Sequence, residues 1–307
     1  MNRLLPVLEK IQTVVWGPPT LLLLLATGLY FTIRLKGLQI TKLGLAIKYI
    51  FQKEEGEGDV SAFASLCTAL AATIGTGSIV GVATALRAGG PGALFWMWVS
   101  AFLGMATKYA EGLLAVKYRS VDENGQICGG PMYYIKNGLG KKWQWLAVLF
   151  SVFGVLTVFG TGNATQVNTI TASINSALLN YHIISEDSLG ISNLILGILL
   201  AAVVGMVLLG GIKRIGHVTE RLVPFMALFY IILAVGVVLL NIQKIPEVFY
   251  SIFYGAFHPA AFTGGVVGSF FLSMQKGVSR GIFSNEAGLG TGSIAHACAD
   301  TKKPVKQ

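Results

Sequence analysis

Ala71-Ala-Thr-Ile-Gly-Thr-Gly-Ser-Ile-Val-Gly81 lies inside an apolar segment running from about Ala62 to Leu86, long enough to cross a bilayer. Three glycines fall within seven residues, Gly75, Gly77 and Gly81, and the stretch also carries Thr73, Thr76 and Ser78. A glycine weakens a helix by about 1 kcal/mol relative to alanine. In hydrocarbon, a released backbone N–H or C=O is costly unless protein, water or a bound solute takes it up. Two readings of the stretch are open. Either the helix breaks at mid-depth and its freed backbone holds a solute, as in secondary transporters, or two intact helices use the small residues to pack closely.

The rest of the chain fixes the solvent. Hydrophobic residues make up 53% of the 307 residues and charged residues 12%, which excludes a disordered chain and argues against an ordinary soluble domain. Apolar stretches of about 20 residues recur, so the fold class is all-α, a polytopic helical membrane protein. The net charge of +9 comes from lysines and arginines lying between the hydrophobic segments, where a membrane explains them better than nucleic acid. Cys67, Cys128 and Cys298 form no CxxC and read as small buried hydrophobes. The four histidines are scattered, and no nucleophile, base and orienting group can be assembled, so an enzyme is the least favoured class.

Seven spans are expected. The first runs from Val14 to Ile33; it exceeds a signal-peptide core and is read as retained. A polar connector ending in Glu54-Glu-Gly-Glu-Gly-Asp59 leads to the second, the opening segment. The turn Gly89-Gly-Pro-Gly92 precedes the third, Phe95 to Val116. The fourth stays helix-compatible from Trp143 to about Leu179, too long for a straight crossing, and is expected to tilt strongly or project. The fifth is Leu189 to Leu209 and the sixth Leu222 to Leu240. The seventh starts near Gly264, beyond an outer loop with Pro246 and Pro259, and its expected break is Gln275-Lys-Gly-Val-Ser-Arg-Gly281. Sixteen lysines and arginines fall in one set of alternate loops and four in the other, which places the N-terminus outside and the C-terminus in the cytoplasm.

Gly75-Thr-Gly-Ser-Ile79 returns letter for letter as Gly290-Thr-Gly-Ser-Ile294. The second and seventh segments are both glycine-interrupted and cross in opposite directions, the pattern of inverted repeats in transporters. Carbonyls near Ala72, Thr73 and Gly75 suit a hard cation, and amides near Gly75, Thr76, Gly77 and Ser78 suit a carboxylate, because a helix N-terminus favours anions. Gln166 carries an amide that can both donate and accept, fitting a zwitterionic amino acid or an interhelical bond. Asn163 and Asn168 read as interhelical bonds. Phe270 and Phe271 are candidates for a wall against a small side chain, or plain core, and Ser273 follows them. Lys108 and Glu111 share a helix face and read as a structural ion pair or an ion pathway. Lys276, Arg280 and Glu286 are expected in the cytoplasmic half of the second broken helix.

Four motifs, Ile74-Gly-Thr-Gly-Ser-Ile-Val-Gly-Val-Ala-Thr84, Gly129-Gly-Pro-Met-Tyr-Tyr-Ile135, Gly210-Gly-Ile-Lys-Arg-Ile-Gly216 and Gly281-Ile-Phe-Ser-Asn-Glu-Ala-Gly288, resemble the alanine or glycine:cation symporter family in order and over nearly the whole chain. The resemblance implies a LeuT-like fold of inverted five-helix repeats, sodium as coupling ion with no other cofactor, and alanine or glycine as substrate at the plasma membrane. The family usually has about eleven spans. The chain is therefore expected to cover the N-terminal two-thirds: an extra helix and connector over 1–60, the first repeat over 61–241, and an outer loop, the broken helix and a cytoplasmic tail over 242–307, with the remaining sodium ligands absent. A non-transporting amino-acid-binding or regulatory subunit is the alternative function, and amino-acid exchange or proton coupling comes third. No protein partner is implied.

Overall fold

The computed structural model describes residues 4–52, 56–258 and 268–307. Helices α1 (Leu4–Val15) and α2 (Pro18–Arg34) meet at Gly17-Pro18-Pro19, where a proline suits the first helical turn. The connector, expected to be merely polar, holds two short helices, α3 (Leu38–Thr41) and α4 (Leu43–Ile50). The opening segment is two helices, α5 (Ala62–Thr73) and α6 (Thr76–Gly89). Then come α7 (Gly92–Lys117), the loop helix α8 (Pro131–Tyr134), α9 (Gln144–Phe159) and α10 (Thr165–Asn180). The chain continues through α11 (Leu189–Leu208), α12 (Gly211–Leu240), α13 (Ile245–Phe257), α14 (Gly268–Asn285) and α15 (Thr291–Ala297). The strands are two residues each: β1 (Val60–Ser61) pairs parallel with β4 (Ala299–Asp300), and β2 (Ser120–Val121) antiparallel with β3 (Ile127–Cys128).

Among the described residues, five helical stretches are long and apolar enough to cross a membrane: Pro6–Arg34, Ala62–Gly89, Lys141–Asn180, Glu186–Leu208 and Gly211–Leu240. The expected third span, α7, is 26 residues long but is not among them. Its neighbours explain this. It packs against α2, α6, α13, α14 and α15. A helix so enclosed can carry Ser100, Thr107 and Glu111, all buried, where a lipid-facing helix would need apolar side chains. By contrast α11 buries none of its residues and is apolar all round, as a lipid-facing helix should be.

Two further expectations change. The fourth span is not one straight helix: a π-helical turn, Gly160–Ala164, separates α9 from α10. Glycines at 160 and 162 make such a turn accessible, and a π-bulge is a recognised place for a helix to bend. The seventh segment is not broken at Gln275–Gly281, since α14 runs unbroken from Gly268 to Asn285. Its glycines serve close approach to α7. A side chain at Gly277 would strike the Ala93 carbonyl, and one at Gly281 the Ser100 hydroxyl. This is small-residue packing between membrane helices. Lys276 and Arg280 are exposed on this first half, before the break. Pro259 and the expected start near Gly264 lie outside the described residues.

Candidate functional site

The chain does break in its second segment, between Thr73 and Thr76. Ile74 closes α5 with its N–H on Leu70 O at 2.7 Å, and Gly75 is extended at φ −121°, ψ −159°. The α6 ladder restarts with Ser78 N–H on Gly75 O at 3.1 Å. Among the described residues, the amides of Thr76 and Gly77 donate to no backbone carbonyl, as expected of the first turn of a helix. Gln166 supplies a partner from α10: its Oε1 accepts the Thr76 N–H at 3.4 Å. Ser78 Oγ spans the gap by donating to Thr73 O at 2.7 Å. It also lies 2.9 Å from Ser284 Oγ on α14. A hydroxyl has one proton, so with that of Ser78 on Thr73, Ser284 is the donor in this pair.

The second break is Glu286-Ala-Gly-Leu-Gly290. Glu286, Gly288 and Gly290 have φ of 54°, 87° and 76°, so the chain turns through left-handed conformations that glycine adopts without strain. Asn285 Oδ1 accepts the Ala287 N–H at 2.9 Å. Glu111 Oε1, from α7, accepts the N–H of Gly288 at 2.9 Å and of Gly290 at 3.1 Å. Lys108 Nζ stands 4.0 Å from Glu111 Oε2 and donates to Glu286 O at 3.5 Å. Thr291 Oγ1 donates to Glu286 Oε2 at 3.1 Å. In the adjoining loop, burial and the Glu111 carboxylate push the Tyr134 phenol up to about 12, with a hydrogen bond to Ser293 acting the other way.

The two broken helices lie side by side and antiparallel. Ser65 on α5 donates to Ala295 O on α15 at 2.9 Å, Ser78 meets Ser284, and Gly89 backs onto Ser273. That register sets the first break directly beside the second. It also gives the repeated pentapeptide one role in both places: Gly75 and Gly290 are each the N-cap of the helix that follows.

Of the residues picked out by sequence, Ala72, Thr73, Gly75, Thr76, Ser78 and Gln166 come together here. A Cβ on Gly75 would be 3.2 Å from Ala72 O and 3.4 Å from Gln166 Nε2. Gly77 is buried, with the Phe283 ring 3.1 Å from where its Cβ would be. Ser273 does not join them. It is fully buried beside Gly89, eleven residues before Ser284, which is about 16 Å along a helix. Phe271 is farther still and 59% exposed, and the Phe270 side chain lies outside the described residues. Asn163 and Asn168 are exposed. The amide bonds between α10 and α11 are made instead by Asn175, with Asn193 Oδ1 at 2.7 Å and Ser192 Oγ at 2.6 Å. Sequence reasoning gave no role at the breaks to Phe283, Ser284 or Asn285, although all three stand in the motif Gly281–Gly288.

A helical membrane protein whose two broken helices run antiparallel with their breaks adjoining belongs to the class of polytopic membrane transporters. More closely, the chain belongs to the sodium:alanine symporter family, which matches it over residues 1–307. It is 52% identical over 304 residues to an uncharacterized transporter of Haemophilus influenzae, covering 98% of this chain and 64% of that protein. It is 48% identical over 307 residues to the sodium/alanine symporter AgcS of Methanococcus maripaludis, covering 97% of this chain and 64% of the other. It is also 38% identical over 294 residues to the probable sodium/glutamine symporter GlnT of Bacillus subtilis, covering 95% and 58%. The family match takes in the whole chain, so the expectation of a truncated chain is not borne out by it; the chain spans 64% of the length of the first two relatives. The family is one of transporters coupled to sodium, not of enzymes.

Proposed function

We propose that this chain forms the solute-holding part of a sodium-coupled symporter for a small neutral amino acid, alanine or glycine. The observation that carries the reading is the meeting of the two breaks at Ser78 and Ser284, 2.9 Å apart. There the start of the 14-residue α6 faces the end of the 18-residue α14. A helix start favours an anion and a helix end a cation. Side by side, the two ends suit the carboxylate and ammonium of one zwitterion. The carboxylate goes to the Thr76 and Gly77 amides, with Gln166 giving way or joining. It does not go to the second break, where Glu111 already holds the amides of Gly288 and Gly290. The ammonium meets the Ser284 hydroxyl and the last carbonyls of α14.

Sodium is carried with the amino acid as a second solute. The oxygen donors suited to it are the carbonyls of Ala72 and Thr73 beside Gly75. The Thr73 carbonyl already accepts Ser78 Oγ, which leaves it one lone pair for a cation. Phe283, rather than Phe271 or Ser273, bounds the space near Gly77 and limits substrate size. AgcS is named for alanine and GlnT for glutamine, so the family name alone does not select between them. The crowding of Gly77 by Phe283 favours the smaller substrate.

The architecture we propose is LeuT-like: seven spans, an extra helix over 1–60, a first repeat over 61–241, and the second repeat opening in 242–307. The matched breaks and their shared pentapeptide support inverted repeats. The bias of basic residues supports an external N-terminus and a cytoplasmic C-terminus in the plasma membrane. Alanine binding to the complete purified protein, measured in sodium chloride and then in choline chloride, tests the reading. Tighter binding in sodium is expected, since linkage between two solutes is reciprocal. Equal binding in both salts overturns sodium coupling.

A further inference from the structure

A cavity of about 530 Å³ opens away from both breaks, at the basic end of the molecule. Its apolar walls come from Leu38 and Leu45 on α3 and α4, Phe63 and Leu66 on α5, and Val305 in the tail. Lys42, Lys303 and Lys306 also line it, and among the described residues no acidic side chain does. Its volume is that of an ordinary small-molecule site. The walls are built, not incidental. Gln307 Nε2 donates to Ser65 Oγ at 3.2 Å and lies 3.0 Å from His296 Nδ1. Arg119 Nη1 holds the tail by Ala299 O at 2.7 Å and Ala297 O at 3.1 Å. Lys306 Nζ sits 5.4 Å over the Tyr49 ring, while Lys42 and Lys303 are exposed.

Its depth identifies the occupant. Helices α3 and α4 follow at once on Arg34, the end of the first apolar stretch, and so lie at headgroup level. Leu43 is 54% exposed, Ile47 51% and the adjoining Phe51 78%, with Lys42 and Lys48 beside them. Apolar exposure flanked by lysine marks a helix lying in the interface plane. A ligand for this cavity has an aliphatic part for Leu45, Phe63 and Leu66 and an anionic part for the lysines. Glycine and alanine, the solutes proposed for the breaks, have no aliphatic part of that size and no net negative charge. We infer that this cavity is a binding site for an anionic phospholipid, its acyl chain between α4 and α5 and its phosphate at Lys42 and Lys303. Clustered lysines near a membrane face recognise anionic headgroups.

The test is native mass spectrometry of the complete purified protein, given phosphatidylglycerol or phosphatidylcholine of the same chain length. Preferential retention of phosphatidylglycerol is expected, reduced at least tenfold in Lys42→Glu/Lys303→Glu. Both lysines are exposed, so the fold tolerates the change. Leu66→Trp, which fills the cavity, is expected to lower retention whatever the headgroup. Lys48→Glu, on the same helix but outside the cavity, is the control. Equal retention of the two lipids, or an equal loss in the Lys48 control, overturns the proposal. So does the absence of bound lipid, the result expected if chain following Gln307 fills the cavity.

Discussion

Glu111 Oε1 accepts the main-chain N–H of Gly290 at 3.1 Å, 179 residues away in sequence. The same oxygen takes the Gly288 N–H at 2.9 Å, so one side chain of α7 satisfies two amides that the break sets free. The carboxylate therefore fixes the shape of the second break and denies its amides to any anionic solute. Glu111→Gln keeps an acceptor oxygen; Glu111→Ala keeps none and strands two amides and Lys108. Breaking a buried charged contact by removing one partner costs about 3–5 kcal/mol. A large fall in melting temperature in detergent is expected for Glu111→Ala, and less than half of that fall for Glu111→Gln. Equal falls show that the charge, not the acceptor, holds the break.

The Ser78–Ser284 contact is the direct bond between the two breaks. A double-mutant cycle with Ser78→Ala and Ser284→Ala should show non-additive effects on alanine binding, with a coupling of about 0.5–1.5 kcal/mol, the usual net worth of a hydrogen bond. Additive effects on binding would mean that the solute does not lie across this contact.

How far the site could be read in advance depended on what each glycine does. Gly75 and Gly77 left a break and close helix packing both open, and it is the extended backbone at Gly75 that decides for the break. Gly277 and Gly281 looked the same but serve to bring α14 against α7, and only the partner helix shows this. The true second break carries Gly288 and Gly290, and the repeated pentapeptide marked it: its first glycine is an N-cap in both copies. Lys108 and Glu111 could be paired by their spacing of three. That they clamp a distant backbone could not, since hydrogen bonds across 177 and 179 residues leave no local pattern. The third span is helical as expected, yet its enclosure by other helices removed the apolar signature by which lipid-facing spans are recognised.

Gln166 reaches the first break through the turn at Gly160–Ala164. Its bond to Thr76 N–H is long, 3.4 Å, as suits an amide that turns its Nε2 donor to a bound carboxylate. Gln166→Ala is expected to weaken alanine binding about tenfold or more, with a stability loss near the roughly 0.6 kcal/mol average for polar contacts between membrane helices. Isothermal binding and thermal melts on the same preparation separate the two. Unchanged affinity in a folded protein removes Gln166 from the site.

Substrate size is set where Phe283 meets Gly77. The ring lies 3.1 Å from where a Gly77 Cβ would stand, so the two residues share one small volume. Gly77→Leu places a branched side chain into the ring and into the approach to the Thr76 amide. It is expected to abolish alanine binding while the protein still inserts. Phe283→Ala does the reverse and opens the space. It should admit a larger neutral amino acid, glutamine, at measurable affinity. Alanine should bind it more weakly, by about 1–3 kcal/mol, because its methyl group no longer packs on the ring. Excess glutamate should compete poorly with alanine in the parent and in Phe283→Ala, because no free cationic side chain is proposed at the first break and the Glu111 carboxylate stands at the second. The pair Gly77→Leu/Phe283→Ala then decides the physical cause. If the two residues only exclude each other sterically, the second substitution restores part of the alanine binding that the first removes. If Gly77 is needed for the backbone geometry of the break, the double variant still fails to bind alanine.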